Sequence, residues 1–257
     1  MLLEEWANQV GIVGSSQLEV SLMLSASDFF EWQTTSLAAL FQDTAYVWEV
    51  LGRITPWLEK QLMSLPTLDV RRRGLIQSGA FVGEDVILAP GSIVEPGAYI
   101  KGPAYIGAHT VIRHGAYLRE GSIIGEHCTV GHASEVKASI LLDGSAAPHF
   151  NYVGNSILGR HCNLGAGVKL SNVKHTKTEV VVKCEDKDYP TGLVKLGAIL
   201  GDGVALGCNC VCNPGTLIGP GTLVYPNALL RGIYPASSII KVTIATEIQP
   251  RTEQARH

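Results

Sequence analysis

An aliphatic residue returns at every sixth position through most of this chain. Val70, Ile76, Val82, Leu88, Val94, Ile100, Ile106, Ile112, Leu118, Ile124, Val130, Val136 and Leu142 keep the phase, and Leu158, Leu164 and Leu170 take it up again. It returns a third time at Val194, Leu200, Leu206, Cys212, Ile218, Val224 and Leu230. A period of six spreads its members around a helix of 3.6 residues per turn, so no helix buries them together. A plain sheet explains alternation but not glycine at a fixed phase, as at Gly83, Gly107, Gly125 and Gly131. A parallel β-helix explains both. Each unit is a short strand and a turn, its aliphatic residue points into a shared core, and stacked coils bury one another. Gly, Asn and Asp occupy turns because some turn positions need positive φ.

Composition narrows the function classes. The 257 residues are 46% hydrophobic and 17% charged, which suits a folded chain and not a disordered one. A net charge of −3 gives no electrostatic footing for nucleic acid, and Arg71-Arg72-Arg73 reads as a solvated edge. No apolar run approaches the roughly 20 residues that span a bilayer. The start MLLEEWANQ lacks the basic and apolar regions of a signal peptide. A cytoplasmic protein with no membrane partner is expected. Cys128, Cys162 and Cys210 fall at small inward positions and read as small hydrophobes. "CNCVC" at 208–212 lacks the CxxC spacing of a zinc site, so no metal is expected.

The repeat leaves room for three regions: an N-terminal segment over 1–65, coils over 66–240 and a tail over 241–257. Residues 1–24 read as strand or coil and 28–64 as helical, with Asp28 and Glu31 forming a capping box. Val47, Val50, Leu51, Ile54 and Leu58 form an amphipathic stripe, a lid or packing face. Pro56 should break or kink that helix, or start its second part. Two insertion loops are expected, near 143–152 and 174–192. The second, "KHTKTEVVVKCEDKDYPTG", alternates around Thr178–Lys183 and predicts a projecting hairpin, a common place for binding residues.

The repeat over about residues 70–235 resembles the hexapeptide-repeat, left-handed β-helix acyltransferases, in which three units make one triangular coil. The fold this implies is all-β: a left-handed parallel β-helix, shaped as a triangular prism, with a small helical N-terminal segment. "APHFNYVGNSILGRHCNLGAGVKLSN" holds His149, Tyr152, Gly154, "NLGAG" from Asn163, and Asn172. It resembles a stretch in the acetyltransferase domain of bacterial bifunctional N-acetylglucosamine-1-phosphate uridyltransferases. A closer likeness is to archaeal sugar-1-phosphate nucleotidylyltransferase/acetyltransferases, which share the helical lead-in, here "YVWEVLGRITPWLE", and a lysine-bearing insertion before "KLGA", here Lys195–Ala198. Their nucleotidylyltransferase half has no counterpart here, so the resemblance implies only acetyl transfer, with a separate nucleotidylyltransferase as an expected partner.

The likeness implies roles residue by residue. His149 would be the base. Arg119, Lys137, Tyr152, Asn163, Asn172 and Lys177 would hold an amino-sugar phosphate such as glucosamine 1-phosphate. Ala166, Cys208, Tyr225 and Arg231 would contact acetyl-CoA, although Cys208 and Tyr225-Pro226 depart from the small residues of the bacterial enzymes. The chemistry agrees. An amine attacks a thioester only without its extra proton, which an imidazole of pKa about 6.5 is suited to take. A sugar phosphate needs cations, and an arginine binds it bidentately. Such enzymes are typically trimers with sites between prisms, so the break at 143–152 reads as a loop presenting His149 to a neighbouring subunit. The alternative is a non-catalytic trimeric scaffold or regulatory sugar-phosphate-binding partner. A third reading is zinc, as in carbonic anhydrases of the γ class, because His109 and His127, and His114 and His132, recur one coil apart. The Arg, Asp and Gln companions of that class are not found.

Overall fold

The computed structural model describes residues 23–184, 186–243 and 248. Each coil gives one short strand to each of three parallel sheets, of nine, eight and eight strands. The chain is the left-handed parallel β-helix that the period predicts. The first face runs from Leu75–Ile76 to Ile239–Ile240, the second from Phe81–Val82 to Leu229–Leu230, and the third from Val86–Leu88 to Ile233–Tyr234. Inward residues such as Val94, Ile100, Ile106 and Leu164 are fully buried in one axial core. Each such side chain contributes about 1.5–3 kcal/mol.

Three members of the period lie elsewhere. Val70 sits in the helical turn Leu68–Arg71 and is exposed, as is Val194 at the end of the insertion. Leu142 is buried, but in a second cluster; Leu141 faces the axial core. The reason is a shortened corner. In two coils a pair of residues, Gly102-Pro103 and then Glu120-Gly121, stands between the position of Lys101 or Arg119 and the third-face strand that begins at Ala104 or Ser122. In the next two coils a single left-handed residue stands between the matched positions, Ala138 (φ 44°) between Lys137 and Ser139 and Asn155 (φ 46°) between Gly154 and Ser156. The expected loop near 143–152 is therefore absent. Ala146–His149 is a strand paired with Thr129–His132, and Tyr152–Gly154 pairs with Glu135–Lys137. The count of six stops because a turn residue is lost.

The third face is apolar on its outer side as well, the near-continuous aliphatic pattern of a sheet covered on both faces. Ile123, Ile140, Ile157, Ile199 and Leu217 pack there against Phe29, Leu37, Trp48, Val50, Ile54 and Leu58 of the N-terminal segment. The amphipathic stripe is thus a packing face. The segment is less helical than expected. Four 3₁₀ stretches, the longest Val47–Arg53, precede the helix Ile54–Ser64. Thr34-Thr35-Ser36 disfavours longer helix, since short hydroxyl side chains compete for backbone groups. Ser25, not Asp28, stands at the cap: the Asp28 carboxylate accepts from the Ser25 N–H (2.7 Å) and hydroxyl (2.8 Å), and Glu31 N–H donates to Asp202 instead. Pro56 lies in the first turn of Ile54–Ser64, where no intrahelical partner is lost.

Two further expectations are corrected by packing. Arg71 and Arg72 are not a solvated edge. Arg71 donates to the Leu62 carbonyl (3.2 Å) and Arg72 to that of Val82 (2.9 Å), tying the first coil to the helix before it. The insertion does form a hairpin, Val181–Cys184 with Lys187–Pro190, but it does not project. Val180 and Val182 are buried in the third-face cluster, and Tyr189 meets Tyr46 edge-on at 6.0 Å. The cysteines divide by phase. Burial pushes the Cys128 and Cys162 thiols up to about 12, and Cys210 and Cys212 also face inward, whereas Cys208 is exposed at a corner. Among the described residues, no helix is long and apolar enough to cross a membrane.

Candidate active site

The second face separates two groups of the expected residues. His149 ends a first-face strand at the corner leading to that face, and the backbone ladder stacks this corner coil upon coil. The His132 carbonyl accepts from Phe150 N–H, that of His149 from Gly167, that of Ala166 from Asn209, and that of Cys208 from Asn227. His132, His149, Ala166 and Cys208 therefore form one column. Asn163 lies exposed on the first-face strand beside it, paired with Ala146 and Ala205. The His149 ring is exposed and has no hydrogen-bond partner among the described residues; its backbone N–H donates to Asn151 Oδ1 at 3.0 Å.

The other group occupies the far edge of the second face. Lys101, Arg119 and Lys137 follow the last inward residue of three successive strands, and Lys137 pairs with Gly154 in the next coil. Arg119 is held by Glu135 at 3.1 Å and lies 3.8 Å from Glu120. Tyr152 Oη donates to Asn172 Oδ1 (3.4 Å), and Asn172 Nδ2 donates to Asn155 Oδ1 (2.7 Å). Gly154 makes this meeting possible: a Cβ there would lie 2.7 Å from Tyr152 Oη and 2.8 Å from Asn172 Nδ2. Burial raises the Tyr152 phenol, with Glu135 adding to it, so the hydroxyl stays a donor at neutral pH. Burial pulls the Lys137 ammonium below the ordinary lysine range, and Arg119 and Lys195 push the same way.

Lys195 was missed as a site residue. Its bridge to Val173, with Leu196 N–H donating to the Asn172 carbonyl, returns the insertion beside Asn172. Lys177 does not take that place; it sits in an exposed turn, and its side chain makes no hydrogen bond or ion pair among the described residues. Asn155 was also missed. Its signal was present in the sequence: an asparagine where a unit of five replaces a unit of six. Tyr225 and Arg231 do not meet. Tyr225 follows the first-face strand Leu223–Val224, with the Lys241 ammonium 5.5 Å from its ring, whereas Arg231 follows Leu230 at the opposite edge of the second face. The histidine pairs are stacked rings, 5.0 Å apart for His109 and His127 and 5.6 Å for His114 and His132. Among the described residues no three His, Cys, Asp or Glu side chains could hold a metal ion together.

Fold and site together describe a hexapeptide-repeat β-helix with a cationic edge and a histidine-bearing corner on the two sides of one face. Comparison with known proteins adds to this. The model of the GMPPB C-terminal domain matches residues 100–204. The chain is 43% identical over 194 residues to the bifunctional protein GlmU of Methanococcus maripaludis, covering 76% of this chain and 45% of that protein. It is 40% identical over 85 residues to the bifunctional sugar-1-phosphate nucleotidylyltransferase/acetyltransferase of Sulfurisphaera tokodaii, covering 33% of this chain and 21% of that one. Among solved structures, the acetyltransferase domain of PglB from Neisseria gonorrhoeae, in complex with acetyl coenzyme A, aligns at 14% identity and a TM-score of 0.29. That alignment covers 74% of this chain and 62% of that one. The chain spans less than half the length of these curated relatives, and its resemblance to their acetyltransferase part holds.

Proposed function

We propose that this chain is an N-acetyltransferase that moves an acetyl group from acetyl-CoA to the amine of glucosamine 1-phosphate or a similar amino-sugar phosphate. The observation that carries this reading is the excess of cations at one edge. Arg119 has carboxylate partners, but Lys137 and Lys195 have no ion pair among the described residues, and Tyr152, Asn155 and Asn172 add hydrogen-bonding groups beside them. A phosphate dianion supplies the missing charge, and the amides and phenol orient the sugar.

His149 takes the proton as the amine attacks the thioester carbonyl. The C–N bond forms, the tetrahedral intermediate collapses with C–S cleavage, and the imidazolium returns a proton to the departing thiolate. Ala166 and Cys208 continue the histidine column with small side chains, which leaves that corner open for an extended thioester. His149 and Gly154 are separated by a stretch of backbone on the order of 15 Å. A complete site therefore needs the cationic edge of one prism to face the histidine corner of another, as in a homotrimer.

The test is release of coenzyme A from acetyl-CoA with glucosamine 1-phosphate as acceptor. Turnover that requires both substrates supports the reading; no release with any amino-sugar phosphate overturns it in favour of a scaffold. A pH dependence accompanies it. A lowered pKa means that Lys137 loses its proton at lower pH than an ordinary lysine. Its contribution to phosphate binding is present below that pKa and lost above it. The KM for the sugar phosphate should thus rise at a pH below the usual lysine range of about 10.4. In Lys137→Arg the rise should move to higher pH, which steady-state kinetics at several pH values would show.

A further inference from the structure

The N-terminal segment docks at the corner where the third face turns into the first, which carries neither His149 nor the cationic edge. Arg160, Asp202 and Pro220 stack there coil upon coil, and His161, Gly203 and Gly221 follow them. Gly203 N–H donates to the Arg160 carbonyl and Gly221 N–H to that of Asp202. Asp202 anchors the segment. One of its carboxylate oxygens accepts from Arg160 N–H (2.6 Å) and the other from Glu31 N–H (2.8 Å), while its own N–H donates to the Phe29 carbonyl (2.9 Å).

This docking leaves a cleft of about 490 Å³ between segment and corner, lined by Ser27, Phe30, Glu31, Arg160, His161 and Gly203. Small-ligand sites have volumes of about 300–1,000 Å³. Gly203 keeps the cleft open: a Cβ there would meet nothing nearer than Gly221 at 3.9 Å, whereas a Cβ on Gly144 would overlap the His161 ring. The charges inside it are poorly matched. Arg160 Nη1 lies 3.4 Å from the Glu31 carboxylate and 3.4 Å from the Thr34 hydroxyl, both long for strong hydrogen bonds. The Glu31 side chain is 83% exposed, so this pair contributes little. Arg160 Nε is buried and has no hydrogen-bond partner among the described residues. Such a deficit is removed when an acceptor arrives.

A simple dianion is opposed by the carboxylates of Glu31 and Asp202 beside the arginine. A zwitterion is not. As the guanidinium turns from Glu31 into the cleft, it can hold both oxygens of a carboxylate side by side, and Glu31 is left to take an ammonium. One long ion pair is exchanged for two short ones.

We infer that this corner is a binding site for a small zwitterion of the α-amino-acid class, seated between Arg160 and Glu31. Glu31 belongs to the segment and Arg160 to the coils, so the ligand ties one to the other and raises the thermal midpoint. The site lies apart from the proposed transfer chemistry and is read without turnover.

The experiment titrates the full chain with the common α-amino acids by thermal shift and calorimetry, with acetate and ethylamine as probes that each lack one charge. At least one amino acid should bind with a Kd below about 1 mM. Arg160→Gln should abolish that binding. Glu31→Gln is the cleaner variant, because its main-chain bond to Asp202 remains. It should weaken the amino acid by about tenfold and strengthen acetate, since Arg160 is then freed of its carboxylate. No amino-acid binding at about 10 mM overturns the inference. Acetate binding as tightly as any amino acid also overturns it, making the corner a plain anion site. Amino-acid affinity unchanged in both variants places the ligand elsewhere and overturns it as well.

Discussion

Replacing His149 with alanine should lower coenzyme A release by about 10²–10⁴-fold, the range in which a general base contributes. The fold should be unaffected. The His149 ring is exposed and without a hydrogen-bond partner among the described residues, and the position is held through its main chain, which accepts from Gly167 N–H at 3.0 Å and donates to Asn151. Alanine keeps both bonds. The thermal midpoint and subunit number should therefore match the wild type, and the KM for the sugar phosphate should change little, because the cationic edge is untouched. A loss confined to kcat identifies a group acting in the transition state. A His149→Ala variant with wild-type kcat would assign the proton to another base.

The sequence was informative where chemistry and phase coincide. Arg119, Lys137, Tyr152 and Asn172 are legible through the family resemblance, and for Arg119 and Lys137 the phase supports it, because an outward position of a solenoid carries no packing requirement and a cation there is free to report on a ligand. The structure brings these four to one edge of one face. It was less informative where two physical requirements share a residue type. Leu141 and Leu142 are both fully buried, one in each core, and a count of aliphatic residues cannot tell them apart. That ambiguity hid the shortened corner and turned a strand into an expected loop. The third face posed the same difficulty in another form. Ile123, Ile140 and Ile157 neighbour inward residues, and only the partner segment reveals that both sides of that sheet are buried. Lys195 escaped for a different reason. Its place depends on how an insertion folds back onto Val173, a long-range contact that no local pattern encodes.

Gly131→Ala should be among the most damaging single-methyl additions to this fold, and it links stability to the site. Gly131 lies in the strand Thr129–His132, and its Cα faces the coil that carries Pro148 and His149. A Cβ there would overlap the Pro148 carbonyl oxygen and lie 2.7 Å from Pro148 Cα. The obstructing atoms are backbone and cannot rotate away, so the neighbouring coil must move. Overpacking of this kind costs about 1–3 kcal/mol or more, which lowers the midpoint of a chain this size by roughly 2–4 °C per kcal/mol. His149 follows Pro148 directly, so the displaced coil also displaces the proposed base, and kcat should fall even at temperatures where the variant is folded. Gly52→Ala is the control: nothing lies within 4 Å of its added methyl, and its midpoint should be unchanged or slightly raised. A Gly131→Ala protein as stable as Gly52→Ala would show that the coils are not packed at this corner as described. One that is destabilised but retains full kcat when folded would separate the position of His149 from the chemistry and move the proton transfer elsewhere.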